Sequence, residues 1–162
     1  MQERGFSLIE LLIVVAIILI ISGIAIPSFL NSRMAANEAS AVYSIRTINT
    51  AQVTYAATYP ELGYADQLNK LAPPVSGPVS PTNAGILDWV LGCVTQPCLK
   101  SGYNFQIPTS SVVGNPVSAY SVWGTPVTVG ITGHRGFCSD NMNPLMVDPI
   151  GATPPNCTIE LQ

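Results

Sequence analysis

The sequence predicts an α+β chain: a long N-terminal helix, membrane-spanning in its first half and amphipathic in its second, packed on a small C-terminal antiparallel sheet. Three observations predict it. From Phe6 to Ile26 every residue is apolar except Ser7, Glu10, Ser22 and Gly23. Past Pro27 the apolar residues fall at helical spacing instead of running continuously. The last third of the chain alternates apolar and polar residues between Gly, Asn and Pro turns.

As a helix, Phe6 to Ile26 rises roughly 31 Å at ~1.5 Å per residue, close to the ~30 Å hydrocarbon thickness of a bilayer. One span fits, and no second segment does. Within it Glu10 is the anomaly, because a carboxylate near the bilayer centre costs on the order of 3 kcal/mol. Either Glu10, one turn from Phe6, snorkels to the interface, or it waits for a cationic partner in an assembled state. The best candidate partner is a free amine made by cleavage before Phe6. A general secretory signal would have an apolar core of only about 7–15 residues before a small-x-small cleavage site, whereas this core is longer, carries Glu10, and has its only small-residue candidates around Ser22-Gly23-Ile24-Ala25, running straight into Pro27. Arg4 on the short side is consistent with that end staying cytoplasmic.

After Pro27, Leu30, Met34, Ala41, Ile45, Ile48, Tyr55 and Tyr59 share one helical face. Arg33, Asn37, Ser40, Ser44, Thr47 and Thr54 fall on the other. Pro60 biases Tyr59 out of helical geometry and Gly63 follows, so one helix from about Phe6 to Thr58 would be ~80 Å long. Residues 60–101 read as a connecting loop, broken by Pro73-Pro74, Pro78 and Pro81, with Gly85 to Leu91 apolar enough to pack back as a short strand or turn. Such loops are usually exposed. In residues 102–162, Tyr103/Phe105/Ile107, Tyr120 to Val129 and Cys157/Ile159/Leu161 carry strand patterning, so three or four strands are expected. Gly114-Asn115-Pro116, Gly133 to Gly136 and Asn143-Pro144 supply turn chemistry.

The run Gly5-Phe6-Ser7-Leu8-Ile9-Glu10-Leu11, followed by apolar Leu12 to Ile26 and then Pro27, closely resembles the amino-terminal signature of type IV pilins and pseudopilins. The resemblance covers about residues 1–30. It implies that a prepilin peptidase on the cytoplasmic side cuts between Gly5 and Phe6 and N-methylates Phe6. It also implies that Glu10 pairs with the Phe6 amine of a neighbouring subunit during assembly. The short leader, residues 1–5, looks like the type IVa class. Residues 6–26 would then be the membrane and filament-core helix, 27–59 its amphipathic half, 60–101 the loop and 102–162 the sheet. Where many relatives carry glycine eight residues before the proline, this chain has Leu19. Its own glycine is Gly23, which with Pro27 places any loosening of the helix nearer the proline.

Four cysteines outside the cytoplasm suggest disulfides, with three pairings possible. Proximity favours Cys93 with Cys98 and Cys138 with Cys157, and the second resembles the C-terminal disulfide that bounds a surface loop in type IVa pilins. No metal site is expected: His134 is the sole histidine, and Cys-x4-Cys and Cys-x18-Cys do not make a zinc site. Asp140, Asn141, Asn143 and Asp148 contain oxygen donors of the kind related pseudopilins use for calcium, but they lack an ordered loop spacing and read as a turn. His134 reads as a turn residue, and no catalytic set or phosphate loop appears, so neither enzymatic activity nor a cofactor is expected.

With a net charge of −3 and six scattered basic residues, the chain has no electrostatic footprint for direct nucleic-acid binding. The resemblance implies a structural subunit, a homo-oligomer in a helical filament. Its partners would be the peptidase and methyltransferase, the pilus assembly machinery and, before assembly, the inner membrane. The precursor would be single-pass with its C-terminal domain outside the cytoplasm, and the pilus extracellular. The alternatives are a minor pilin, a type II secretion pseudopilin, or a monomeric membrane-anchored adhesin or sensor.

Overall fold

The computed structural model describes residues 6–142 and 144–161. The leader, Met1 to Gly5, and Asn143 of the expected turn lie outside the described residues. Helix α1 runs from Leu8 to Thr58, followed by strands β1 (Cys98–Lys100), β2 (Tyr103–Gln106), β3 (Ser121–Pro126), β4 (Gly136–Asp140), β5 (Leu145–Asp148) and β6 (Ile159–Glu160). The chain divides into two compact units, the first ending at Arg33 and the second beginning at Met34.

The first unit is the apolar part of α1. It contains a window of 18 residues apolar enough to cross a membrane, none of it buried within the chain. Strongly helix-compatible Leu and Ala are interspersed among runs of stiff Ile and Val, and the helix runs unbroken through Gly23 and Pro27. Their chemistry is nonetheless coupled, since Pro27 lacks the N–H that would donate to the carbonyl four residues earlier, that of Gly23.

The second unit is an α+β domain. Its six strands form one antiparallel meander in sequence order, β1 to β6. Six strands, not three or four, is a correction. Strand β1 begins inside the segment read as loop, β4 starts at Gly136 where turn chemistry was expected, and β5 follows Pro144. Strand β4 hid because Gly136-Phe137-Cys138-Ser139 does not alternate apolar with polar. All four residues are buried, as befits a central strand flanked by β3 and β5.

Helix residues Ala41, Ile45, Ile48 and Tyr55 meet Tyr103, Phe105, Val122, Phe137 and Val147 in one apolar cluster. Gly124 of β3 permits the close approach: a Cβ there would lie 3.1 Å from Ile45 Cδ1 and 3.0 Å from the Phe105 ring. The loop after α1 is not simply exposed. Ala65, Leu68, Leu71, Leu87 and Leu91 are buried in the same cluster. Gln52 pins its start, accepting from the Ala65 N–H and donating to the Ala65 carbonyl, each at 2.8 Å.

The face assignments also change. Met34, Ala41, Ile45, Ile48 and Tyr55 pack inward, but so do Ser44, Glu38, Asn49 and Gln52, while Leu30 is exposed and Tyr59 half-buried. A buried amide is tolerated only when satisfied. Asn49 donates to Ser139 Oγ at 2.6 Å and accepts from the Tyr120 hydroxyl at 3.1 Å.

Two disulfides join Cys93 to Cys98 and Cys138 to Cys157. The second ties central strand β4 to the segment leading into β6, across a sequence separation of 19. Chain-entropy arithmetic gives such a loop about 3 kcal/mol. Replacing both Cys138 and Cys157 by Ser should therefore lower the stability of the second unit by about 3 kcal/mol, read as a lower thermal midpoint of the full chain in detergent. An unchanged midpoint would show that the loop is ordered without its crosslink.

Candidate functional site

Phe6 precedes the first helical residue and is 79% exposed. The Gly5–Phe6 bond falls partly on Gly5, outside the described residues. Helix α1 then starts with a specific local device. Ser7 occupies the N-cap position, its carbonyl accepting from the Leu11 N–H at 3.3 Å, and the Ser7 N–H donates to Glu10 Oε2 at 3.0 Å. Glu10 is thus the third helical residue reaching back over the helix start, the half of a capping box that satisfies an orphan donor. A carboxylate also suits the positive end of the helix dipole. Ser7-x-x-Glu10 is the sequence signature of this cap, so the arrangement was available in the sequence.

The cap explains how one carboxylate can sit at the edge of a hydrocarbon-like segment. One oxygen is engaged by its own backbone, leaving the other to accept a further hydrogen bond from outside the chain. Behind it, Leu8 to Ile26 present large apolar side chains all round the helix, each about half or more exposed. A helix apolar on every side needs lipid or protein on every side. Ser32 Oγ bonds back to the Ser28 carbonyl at 3.0 Å, which satisfies that hydroxyl within the helix.

In the second unit the best-organised polar cluster surrounds Glu38, a residue the sequence reading did not single out. Glu38 is only 8% exposed. Its Oε1 accepts from the His134 N–H at 2.8 Å and the Arg135 N–H at 3.2 Å, and its Oε2 from Arg135 Nε at 2.8 Å and Nη2 at 2.7 Å. Tyr103 adds a hydroxyl bond to the Arg135 carbonyl at 2.8 Å, and Arg135 lies 5.7 Å from the Phe137 ring centre. Burial alone would raise the Glu38 pKa, but the His134 and Arg135 donors and the guanidinium charge outweigh it and hold the carboxyl below its ordinary range. Burial, then the Glu38 charge, push the Tyr103 hydroxyl well above its usual pKa. This cluster clamps the β3–β4 turn to α1. His134 is exposed, contributes only its backbone N–H to Glu38, and shows no arrangement of a general base.

Among the described residues no group of three or more His, Cys, Asp or Glu side chains is placed to hold a metal ion. Asp140 and Asp148 instead bond their own turns. Asp140 Oδ1 accepts from the Met142 N–H at 2.8 Å, and Asp148 accepts from the Ile150 and Ala152 N–H groups at 3.2 and 2.7 Å. The four cysteines are all in disulfides. The structure therefore places Phe6 just before the helix start that Glu10 caps, Gly23 and Pro27 farther along the same apolar helix, and the cysteines in the second unit.

A family model described as the prokaryotic N-terminal methylation motif matches residues 1–26. The type IV major pilin protein PilA of Myxococcus xanthus (strain DK1622) is 31% identical over 167 aligned positions, which cover 96% of this chain and 70% of that protein. No solved structure matches significantly. The relative is matched over the apolar helix and the sheet domain alike, well beyond the motif itself, and the chain belongs to the type IV pilin family.

Proposed function

We propose that this chain is a prepilin, cut between Gly5 and Phe6, N-methylated at Phe6 and polymerised into an extracellular type IV pilus as its major subunit. The observation that carries the reading is an all-round apolar helix, none of whose membrane-length window is buried, capped by a single carboxylate within the matched methylation motif. Such a helix leaves lipid only for an equally apolar surface, which packed anchors of neighbouring copies supply. Cleavage creates an amine at Phe6, and the Glu10 oxygen not bonded to Ser7 gives a neighbour's amine its charge partner. Before assembly the helix 6–26 holds the chain in the inner membrane, with residues 27–59 continuing it into the outer unit outside the cytoplasm. Residues 60–101 and 102–162 complete that unit. Looser packing at Gly23 and Pro27 belongs to the assembled state, where neighbouring helices satisfy the freed carbonyl.

The major rather than minor role is supported by the likeness to a major pilin along almost the whole of this chain. The role is structural, with the peptidase and methyltransferase and the assembly machinery as partners and no cofactor. Mass spectrometry of sheared surface filaments is expected to find this chain as the dominant component, lacking Met1 to Gly5 and carrying one extra methyl on Phe6. Uncut precursor in those filaments would refute the processing step. A processed chain confined to the envelope would instead identify a pseudopilin.

A further inference from the structure

The face of the sheet turned away from α1 carries a groove. Val122, Phe137 and Val147 point into the core shared with the helix, so their strand neighbours face the other way. Trp123, Cys138 and Met146 stand in register across β3, β4 and β5, and two residues along β3 from Trp123, Ser121 is paired with Asp140. The Cys138–Cys157 disulfide brings Pro155 and Asn156 to the margin of this row. Together they line a groove of about 450 Å³, inside the ~300–1,000 Å³ range of small-molecule sites.

The chemistry of the lining is selective. Asp140 is half-buried, and its Oδ1 accepts from the Met142 N–H at 2.8 Å, which fixes the carboxylate in place. No Lys or Arg lines the groove to neutralise it. Among the described residues the ion pairs join Lys70 to Asp66, Lys100 to Asp88 and Arg135 to Glu38, so Asp140 has no cationic partner there. Trp123, half-buried, is the aromatic residue of the lining. The negative face of an indole and a carboxylate both attract a cation.

The remaining walls say which cation. The side chains of Pro144, Met146 and Pro155 and the disulfide carry no N–H or O–H. A polyhydroxylated ligand would leave hydrogen-bonding groups unmet against them, and an anion would be repelled by Asp140. A hard metal ion needs several oxygen ligands, whereas the groove offers a single carboxylate. A bulky, weakly hydrated organic cation suits every wall: its charge suits Asp140 and the indole face, and its alkyl groups suit the prolines and the polarizable thioether.

We propose that this groove binds a small free organic ammonium ion, an alkylated amine of the choline type, with its charged head between the Trp123 ring and the Asp140 carboxylate and its alkyl groups against Met146. The site is independent of filament assembly, so calorimetric titration of the full-length chain in a non-ionic detergent tests it. Choline should give saturable binding. Its uncharged carbon analogue, 3,3-dimethyl-1-butanol, should bind roughly tenfold more weakly or worse. Glycerophosphocholine, which sets a phosphate beside Asp140, should also be weaker by roughly tenfold. Asp140→Asn keeps an oxygen for the Met142 N–H but removes the charge, and should weaken choline about tenfold. Trp123→Leu keeps apolar bulk without the ring and should weaken it about fivefold.

Absence of saturable choline binding would overturn the site. Equal binding of the uncharged analogue would overturn recognition of charge, and this comparison on the wild-type chain decides even where a variant misfolds. Glycerophosphocholine binding as tightly as choline would overturn the free amine in favour of a lipid headgroup. Methyl galactoside binding more tightly than choline, and lost in Trp123→Leu, would overturn it in favour of a sugar.

Discussion

Replacing Glu10 by Ala is expected to leave membrane insertion and removal of residues 1–5 intact while cutting filament yield about 100-fold. A charge-assisted hydrogen bond contributes about 1.5–3 kcal/mol, and ~2.7 kcal/mol per added subunit is a 100-fold change in the equilibrium for addition. Because Glu10 also takes the Ser7 N–H of its own chain, the alanine variant loses the cap and the intersubunit pair together. Glu10→Gln separates them. Its amide oxygen still accepts from Ser7, but it brings no charge to a neighbour's amine. If pairing governs assembly, Gln should fail nearly as badly as Ala; if capping does, Gln should assemble close to normally. Quantifying inserted precursor, processed subunit and sheared filament for both variants decides it, and normal fibres from Glu10→Ala would eliminate both roles.

The halves of this molecule were unequally legible. Helix α1 announced itself because two apolar patterns, continuous and then 3.6-periodic, meet at Pro27, and because Pro60 marks the end that the structure places at Thr58. The capping box was written as Ser7-x-x-Glu10, though its carboxylate was read as a lipid problem or an intersubunit charge partner and not as a cap. Strands β2, β3 and β6 showed through alternation. Strand β4 did not, since a central strand next to a disulfide holds Cys, Ser and Gly on buried positions. The buried polar positions of α1 were the least accessible. Glu38 lies among helix residues that ordinarily face water, and its partners sit 96 and 97 residues away. No local pattern encodes a contact of that range. Asn49 and Gln52 are the same case, their burial made tolerable by Ser139, Tyr120 and Ala65.

Loss of the Glu38 carboxylate should be the costliest single change in the polar framework of the second unit, Met34 onward. Glu38→Ala removes the acceptor for two backbone N–H groups and the Arg135 side chain. Stranding buried partners of a charge costs on the order of 3–5 kcal/mol, but the Arg135 side chain is 46% exposed and regains water. A loss of about 3 kcal/mol is therefore expected, or roughly 10 °C in the thermal midpoint of that unit. Glu38→Gln keeps one acceptor oxygen and should lose about half of that. The pH dependence follows from the direction of the shift. Glu38 binds its proton less readily folded than unfolded, so its contribution is complete above its ordinary pKa of 4.5 and disappears as pH falls through the lower folded-state value. The midpoint gap between wild type and Glu38→Gln should accordingly stay constant from about pH 8 to 6 and close below about pH 4. A gap that persists unchanged at pH 3 would mean that the carboxylate's charge is not what fastens the β3–β4 turn to the helix.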